Sequence, residues 1–232
     1  MSKFTLMNKN KKIFDFEYND EEHIIDSFKR NYSENEKYAP LGLIKNDNID
    51  KISFNKWWKN RQIPASRNGL KEVLHNSNIY DNDNFDLLDA KVYCLSLSDQ
   101  YWVKKYDEDI KWEDINFFDN EFSEDIGKIL FNGRSTTLNL NLNTPDMTSN
   151  GNYEKRWKII NGDRYLIKAC GKMINQEPFN EVIATKLYER ILNEDEYVKY
   201  KIIYDNERAV SICKNFITPN TELIPAWKIN EY

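Results

Sequence analysis

From about residue 135 the hydrophobic and polar positions fall into regular periods. In "TTLNLNLN", Leu138, Leu140 and Leu142 alternate with threonine and asparagine, the period of two expected of a strand with one wet face. A polar loop runs from Thr144 to Asn152 and contains Pro145 and Gly151, and the run "YEKRWKII" then reaches Ile160. Asn161 and Gly162 separate that run from "RYLIKA". Both tolerate the positive φ of a type I′ turn, so the two runs are expected to pair as an antiparallel hairpin. Residues 177 to 192, "EPFNEVIATKLYERIL", have helical spacing, with Pro178 in the first turn where a missing N–H is harmless. "KYKIIY" and "AVSICKNF" flank a turn around Asp205 and Asn206 and predict a second hairpin. The expected order is three strands, one helix, two strands.

Residues 1–130 read as a less regular α+β module without an internal repeat. Ser53 ahead of "FNKWWKNR" and Ser66 ahead of "RNGLKEVL" look like serine caps of two short helices, kept apart by Pro64, which cannot sit inside either. Lys56, Lys59, Arg61 and Arg67 make this stretch basic. It reads as a solvated basic face beside a Trp57 and Trp58 packing anchor in preference to a helix-turn-helix contact with DNA. "DNDNFDLLD", residues 81 to 89, is acidic and turn-rich but lacks the glycine and terminal glutamate of a calcium-binding EF-hand loop. "KVYCLSLSDQYWVKK" brings Val92, Cys94, Leu95 and Leu97 up to Tyr101 and Trp102 and is expected to enter the core. The fold class is therefore α+β, with an N-terminal module over residues 1–130 and an antiparallel sheet with one helix over residues 131–232.

Composition narrows the partners more than the fold. A chain of 232 residues that is 40% hydrophobic, with 12 Phe, 14 Tyr and 6 Trp, has the material for real cores and not for disorder. The net charge of −5 gives no general pull toward nucleic acid or an anionic membrane, so neither is expected as a partner. No apolar run approaches the length of a membrane span, and the N-terminus lacks the apolar stretch of a secretory signal; a cytoplasmic protein is expected. Cys94, Cys170 and Cys213 are odd in number and far apart, which reads as free thiols. With His23 and His75 the only histidines, a multi-histidine metal centre is not expected.

One residue breaks the strand pattern. Lys168 ends a run that otherwise reads as buried, and stripping an ammonium of its water costs on the order of several kcal/mol unless a partner waits for it. The helix that follows supplies a candidate, because Glu181 shares a stripe with Ala184, Tyr188 and Leu192. A loop with a glycine, a lysine on a strand, a glutamate on the next helix and two more strands is the layout of a protein-kinase small lobe.

The segments "WWKNRQIPASR", "CLSLSDQYW", "TPDMTSNGNYEKRW", "LIKA" and "EPFNEVIATKL" together resemble the HipA-like serine/threonine kinases, in the variety found in low-GC Gram-positive bacteria and their phages. The resemblance implies a toxin-type kinase using ATP and magnesium, with Lys168 gripping phosphates, Glu181 holding the lysine, and the loop around Gly151 covering the phosphates. It implies adenine contacts from the Ile212 to Phe216 stretch, including Cys213 and Asn215, and an inhibitory autophosphorylation on Thr148 or Ser149. The 232 residues contain no H-R-D, D-x-H-x-K-N or D-F-G, the motifs that supply the catalytic and magnesium-holding side chains. The chain is thus expected to be the nucleotide-binding half of such a kinase, inactive alone, with the large lobe elsewhere in a longer chain or on a partner. A non-catalytic module that engages a partner protein, and a DNA-binding regulator, are the alternatives.

Overall fold

The computed structural model describes residues 1–46, 48–79, 92–133, 139–170 and 176–231. It is an α+β structure with antiparallel sheets, as the periodicities predict. The acidic stretch at 81–89 lies outside the described residues.

Strands β1 (Ser2–Asn8), β2 (Lys11–Asn19) and β3 (Ile24–Asn31) form a meander, followed by the two-residue strands β4 (Ile44–Lys45) and β5 (Asn48–Ile49) and by helices α1 (Lys51–Arg61) and α2 (Leu70–Asn76). Strand β6 (Tyr101–Lys105) then pairs with β1, giving the order β3-β2-β1-β6. Phe4 lies opposite Phe16 and Leu6 opposite Phe14, so one face of the sheet is a patch of rings. Phe54 of α1 packs edge-on against Phe14 at 5.1 Å and Phe16 at 5.5 Å. Complete burial of such a side chain stabilises the fold by roughly 1.5–3 kcal/mol, and Phe54 is fully buried. The segment from Cys94 to Trp102 is core, as expected: Cys94, Leu95, Leu97, Tyr101 and Trp102 are all buried.

Both serine caps are corrected. Asp50 caps α1, accepting from the Ile52 and Ser53 amides at 3.0 and 3.1 Å, and Ser53 sits inside the helix. A carboxylate both accepts these amides and complements the helix dipole, which a serine does not. Helix α2 starts after Gly69, whose φ of 80° turns the chain into it. The solvated basic face is half corrected as well. Arg61 and Arg67 are buried, Arg61 donating to the Cys94 and Tyr101 carbonyls and to Asp99, and Arg67 to the Ser149 and Gly151 carbonyls.

The short helix α3 (Trp112–Ile115) and α4 (Asp125–Asn132) lead into a second sheet of β7 (Lys155–Ile160), β8 (Asp163–Lys168), β9 (Lys201–Asp205) and β10 (Arg208–Lys214), in the order β7-β8-β10-β9. Helix α5 (Glu177–Tyr188) crosses from β8 to β9 and packs on β9 and β10, and α6 (Ala226–Glu231) follows. Both hairpins form as expected. Asn161 and Gly162, with φ of 52° and 84°, join Ile160 to Asp163, and Asn206 and Glu207 join Asp205 to Arg208. The expected strand over "TTLNLNLN" does not form where the chain is described. Leu140 and Leu142 are buried and Asn139 and Asn141 exposed, yet Asn139 has φ of 55° and residues 139–143 join no ladder. Alternation reports which side chains face the core; pairing needs an open strand edge beside them. Among the described residues the order is two strands, one helix, two strands. The helix also ends at Tyr188, short of residue 192, and Tyr188 and Leu192 of the Glu181 stripe are exposed.

The two parts share their interior. Trp157 of β7 packs in one cluster with Met7, Leu97, Trp102 and Trp112, and α4, which spans residue 130, contacts α2 on one side and β7 on the other.

Candidate functional site

The type I′ turn at Asn161–Gly162 fixes the register of β7 on β8 so that Lys155 lies directly opposite Lys168, and the two side chains share a face of the sheet. Pairing of β8 with β10 places Ser211 beside Lys168 on the other side. Helix α5 then lays Glu181 over these residues. Lys168 Nζ donates to Glu181 Oε1 at 2.7 Å and to the Tyr200 hydroxyl, and also lies 4.5 Å from the Tyr200 ring centroid. The second carboxylate oxygen of Glu181 accepts from the fully buried Ser211 hydroxyl. The sequence therefore placed Lys168 and Glu181 together correctly, as an ion pair. Their side chains are 27% and 28% exposed, midway between a surface pair and a buried one. Glu181→Ala would leave the Ser211 hydroxyl without its acceptor, and should cost about 2 kcal/mol. Thermal denaturation checks this, and an unchanged melting temperature would contradict it.

The loop from Ser149 to Asn152 closes over the same face. Gly151 has φ of 92°, and a Cβ there would stand 2.9 Å from Lys155 Nζ, so glycine both permits the turn and admits the ammonium. Lys155 Nζ donates to Asn150 O at 2.6 Å. Burial, with Arg67 and Lys168 nearby, pushes the Lys155 ammonium down to about 8, against a smaller opposing pull from Glu181. Arg67 reaches across from the linker between α1 and α2 to donate to Ser149 O at 2.8 Å and to Gly151 O. Burial lowers its guanidinium to about 10, offset in part by Asp146. Asp146 anchors the loop's base by accepting from the Trp157 amide at 2.9 Å, and burial pushes its carboxyl up to about 7.

The candidate phosphorylation residues separate. Thr148 is buried and donates its hydroxyl to Leu95 O at 2.8 Å; Ser149 is partly exposed, which leaves it the reachable hydroxyl of the two. Cys213 and Asn215 also separate. Cys213 is buried next to Tyr200, and burial raises its thiol above the ordinary range, so it belongs to the Lys168 cluster. Asn215 is spent on the chain itself: its N–H goes to Arg164 O at 2.8 Å, its amide to Leu97 O at 3.1 Å, and its Oδ1 accepts from the Ile217 amide. A contact of Asn215 with adenine through these groups would have to break them.

The site has four further members that the sequence reading missed: Lys155, Arg67, Tyr200 and Ser211. Lys155 could have been found by counting back from the hairpin turn; the other three arrive through long-range packing. Among the described residues the face therefore gathers three cations, Lys155, Lys168 and Arg67, with the carboxylate of Glu181 on it and that of Asp146 beneath the loop near Arg67. Chemically it can receive an anion beside a glycine-bearing loop. Among the described residues no group of three or more His, Cys, Asp or Glu side chains could hold a metal ion, and no helix is long and apolar enough to cross a membrane. No protein-family model, curated protein or solved structure matches the chain.

Proposed function

We propose that the chain is the N-terminal, nucleotide-binding portion of a HipA-like protein serine/threonine kinase, and that the Lys155–Lys168 face receives the phosphates of ATP. One observation carries this reading: two lysines stand directly opposite each other under a glycine loop, an arrangement that like-charge repulsion disfavours and that a phosphate between them would stabilise. In this role Lys168 contacts phosphate oxygens while Glu181 and Tyr200 hold its rotamer, Lys155 meets a second oxygen, and Gly151 allows close backbone approach. When bound, ATP would supply the phosphoryl group, and the 232 residues hold none of the motifs that carry out its transfer. Magnesium is also implied by the resemblance, which places its protein ligands in the large lobe; among the described residues no group of three or more His, Cys, Asp or Glu side chains could hold it.

The pH dependence has a definite sign. Phosphate next to Lys155 favours its charged form, so binding takes up protons near pH 8 and weakens as pH rises through the free protein's value of about 8. Calorimetric titration of ATP should give a dissociation constant near the millimolar range, about −4 kcal/mol, at pH 7, and weaker binding at pH 9. Lys155→Met should abolish that pH difference, and Lys168→Ala should weaken binding by at least about tenfold, the scale of one charge-assisted contact. Equal affinity in wild type and Lys168→Ala would remove this reading.

A second reading, a non-catalytic module that engages a partner protein, is favoured by the outer face of α5, where Phe179, Ile183 and Leu187 are exposed. It requires no response of ATP binding to Lys168. The DNA-binding alternative loses support because Arg61 and Arg67, two of its four cations, are buried.

A further inference from the structure

A sheet keeps its outermost strands from pairing with other chains by bulges or by groups laid over the free backbone. Three of the four edges of the two larger sheets are managed in these ways. Strand β3 meets β2 through two register shifts. Outside β6, the Val103 amide donates to Tyr93 O at 2.9 Å. On β7, the register set by the Asn161–Gly162 turn directs the Trp157 and Ile159 amides outward, and Asp146 and Glu124 accept them at 2.9 and 3.2 Å.

Strand β9, the fourth edge, has no such cover among the described residues. Its pairing with β10 is regular from Lys201 to Asp205. The two-residue turn at Asn206 and Glu207, with φ of 48° and 67°, makes Asp205 and Arg208 a hydrogen-bonded pair. The backbone groups of Lys201, Ile203 and Asp205 therefore point into the sheet, and those of Ile202 and Tyr204 point out of it. No described group meets these outward amides and carbonyls. Tyr204 is also 72% exposed, a large ring on an open backbone edge.

The residues of this edge complement themselves. When two antiparallel copies of β9 meet about a two-fold axis at Ile203, Lys201 lies opposite Asp205, Ile202 opposite Tyr204, and Ile203 opposite its own copy. In that register Ile202 and Tyr204 exchange their outward hydrogen bonds on each side of the axis, so every free group is used. Moving the axis to Ile202 or Tyr204 sets Ile203 against Lys201 or Asp205 and loses the match. Lys201 is exposed, and Arg156 holds Asp205 in place through Oδ2 at 2.9 Å, which leaves Oδ1 facing the seam.

We propose that β9 docks a second copy of this chain, two antiparallel β9 strands joining the second sheets of both copies into one continuous sheet. The two-fold axis stands normal to that sheet, so both α5 helices, and both lysine faces beneath them, lie on the same side of it. A seam of five residues is small beside the roughly 800 Å² per partner of a standard interface, so the dimer is weak and forms as concentration rises. None of this rests on the nucleotide reading.

The test is sedimentation equilibrium of the 232-residue chain over a range of concentrations, with hydrogen exchange followed at the Ile202 and Tyr204 amides. The wild type should pass from monomer to dimer, and exchange at those two amides should slow as it does. Tyr204→Pro removes an outward donor at a position where an edge strand tolerates proline. Lys201→Glu sets like charge against Asp205 twice in each symmetric dimer. Each variant should weaken association by at least about tenfold. Asp205→Lys alone should be monomeric as well, yet mixing it with Lys201→Glu chains should restore a heterodimer, because both cross-strand pairs then carry opposite charges. Asp205→Lys also loses Arg156, so the other two variants carry the test if it does not fold. A wild type that stays monomeric up to about 1 mM, exchange at Ile202 and Tyr204 that ignores concentration, or a dimer that neither Tyr204→Pro nor Lys201→Glu weakens would overturn the proposal. Loss of the dimer in Ile183→Lys alone would place the contact on the outer face of α5 and overturn it too.

Discussion

Arg67→Met is expected to lower the stability of the folded chain by about 3 kcal/mol and to loosen the loop that covers the lysine pair. Its guanidinium donates to the carbonyls of Ser149 and Gly151, and hydrogen bonds to a charged donor are worth roughly 1.5–3 kcal/mol each. Relief of the buried charge works the other way, since burial holds this guanidinium below its ordinary value, so the net loss is smaller than the sum of two such bonds. Methionine keeps most of the apolar stem, which restricts the change to the lost donors. Chemical denaturation reads the stability, and hydrogen exchange at the Gly151 and Asn152 amides reads the loop. Unchanged exchange with lowered stability would make Arg67 a packing residue with no hold on the loop.

Gly69→Ala should be at least as damaging, costing about 3 kcal/mol or more. Gly69 has φ of 80°, and a Cβ there would lie 2.6 Å from Ile129 O and 3.1 Å from Leu130 Cα. The left-handed backbone alone costs a non-glycine residue roughly 1–2 kcal/mol, and overpacking adds roughly 1–3. The colliding atoms are α4 backbone and cannot swing aside as a flexible side chain does. Helix α4 carries Phe131 into the second sheet's core, so the strain should be felt there too. A melting temperature within error of the wild type would show that α2 and α4 can part without cost.

How much of this was legible in the sequence depends on how local each interaction is. The Asn161–Gly162 turn announced its own hairpin, and with it the register that sets Lys155 against Lys168. Lys168 and Glu181 could be matched because one strand and one helix adjacent in the chain carry them. Over 139–143, the described part of "TTLNLNLN", alternating burial is present but the residues join no ladder, so the expected strand does not form there. Arg61 and Arg67 looked like surface cations because nothing nearby in sequence reveals the carbonyls that claim them; Arg67's partners lie more than eighty residues away. Ser211 and Tyr200 entered the site the same way, through the pairing of β10 with β8 and the return of the chain after α5. Asp50 outcompeted Ser53 as a cap by a margin that a scan for serines overlooks.

The nucleotide reading stands or falls on where ATP touches the chain. Backbone amide NMR during an ATP titration measures that directly. Shifts at Gly151, Lys155, Lys168 and the Ile212 to Phe216 stretch, saturating near the millimolar range and lost in Lys168→Ala, are the result the proposed function predicts. Shifts confined to the surroundings of Trp57 and Trp227, or a response that Lys168→Ala leaves intact, would contradict it and leave Lys168 and Glu181 as a structural ion pair.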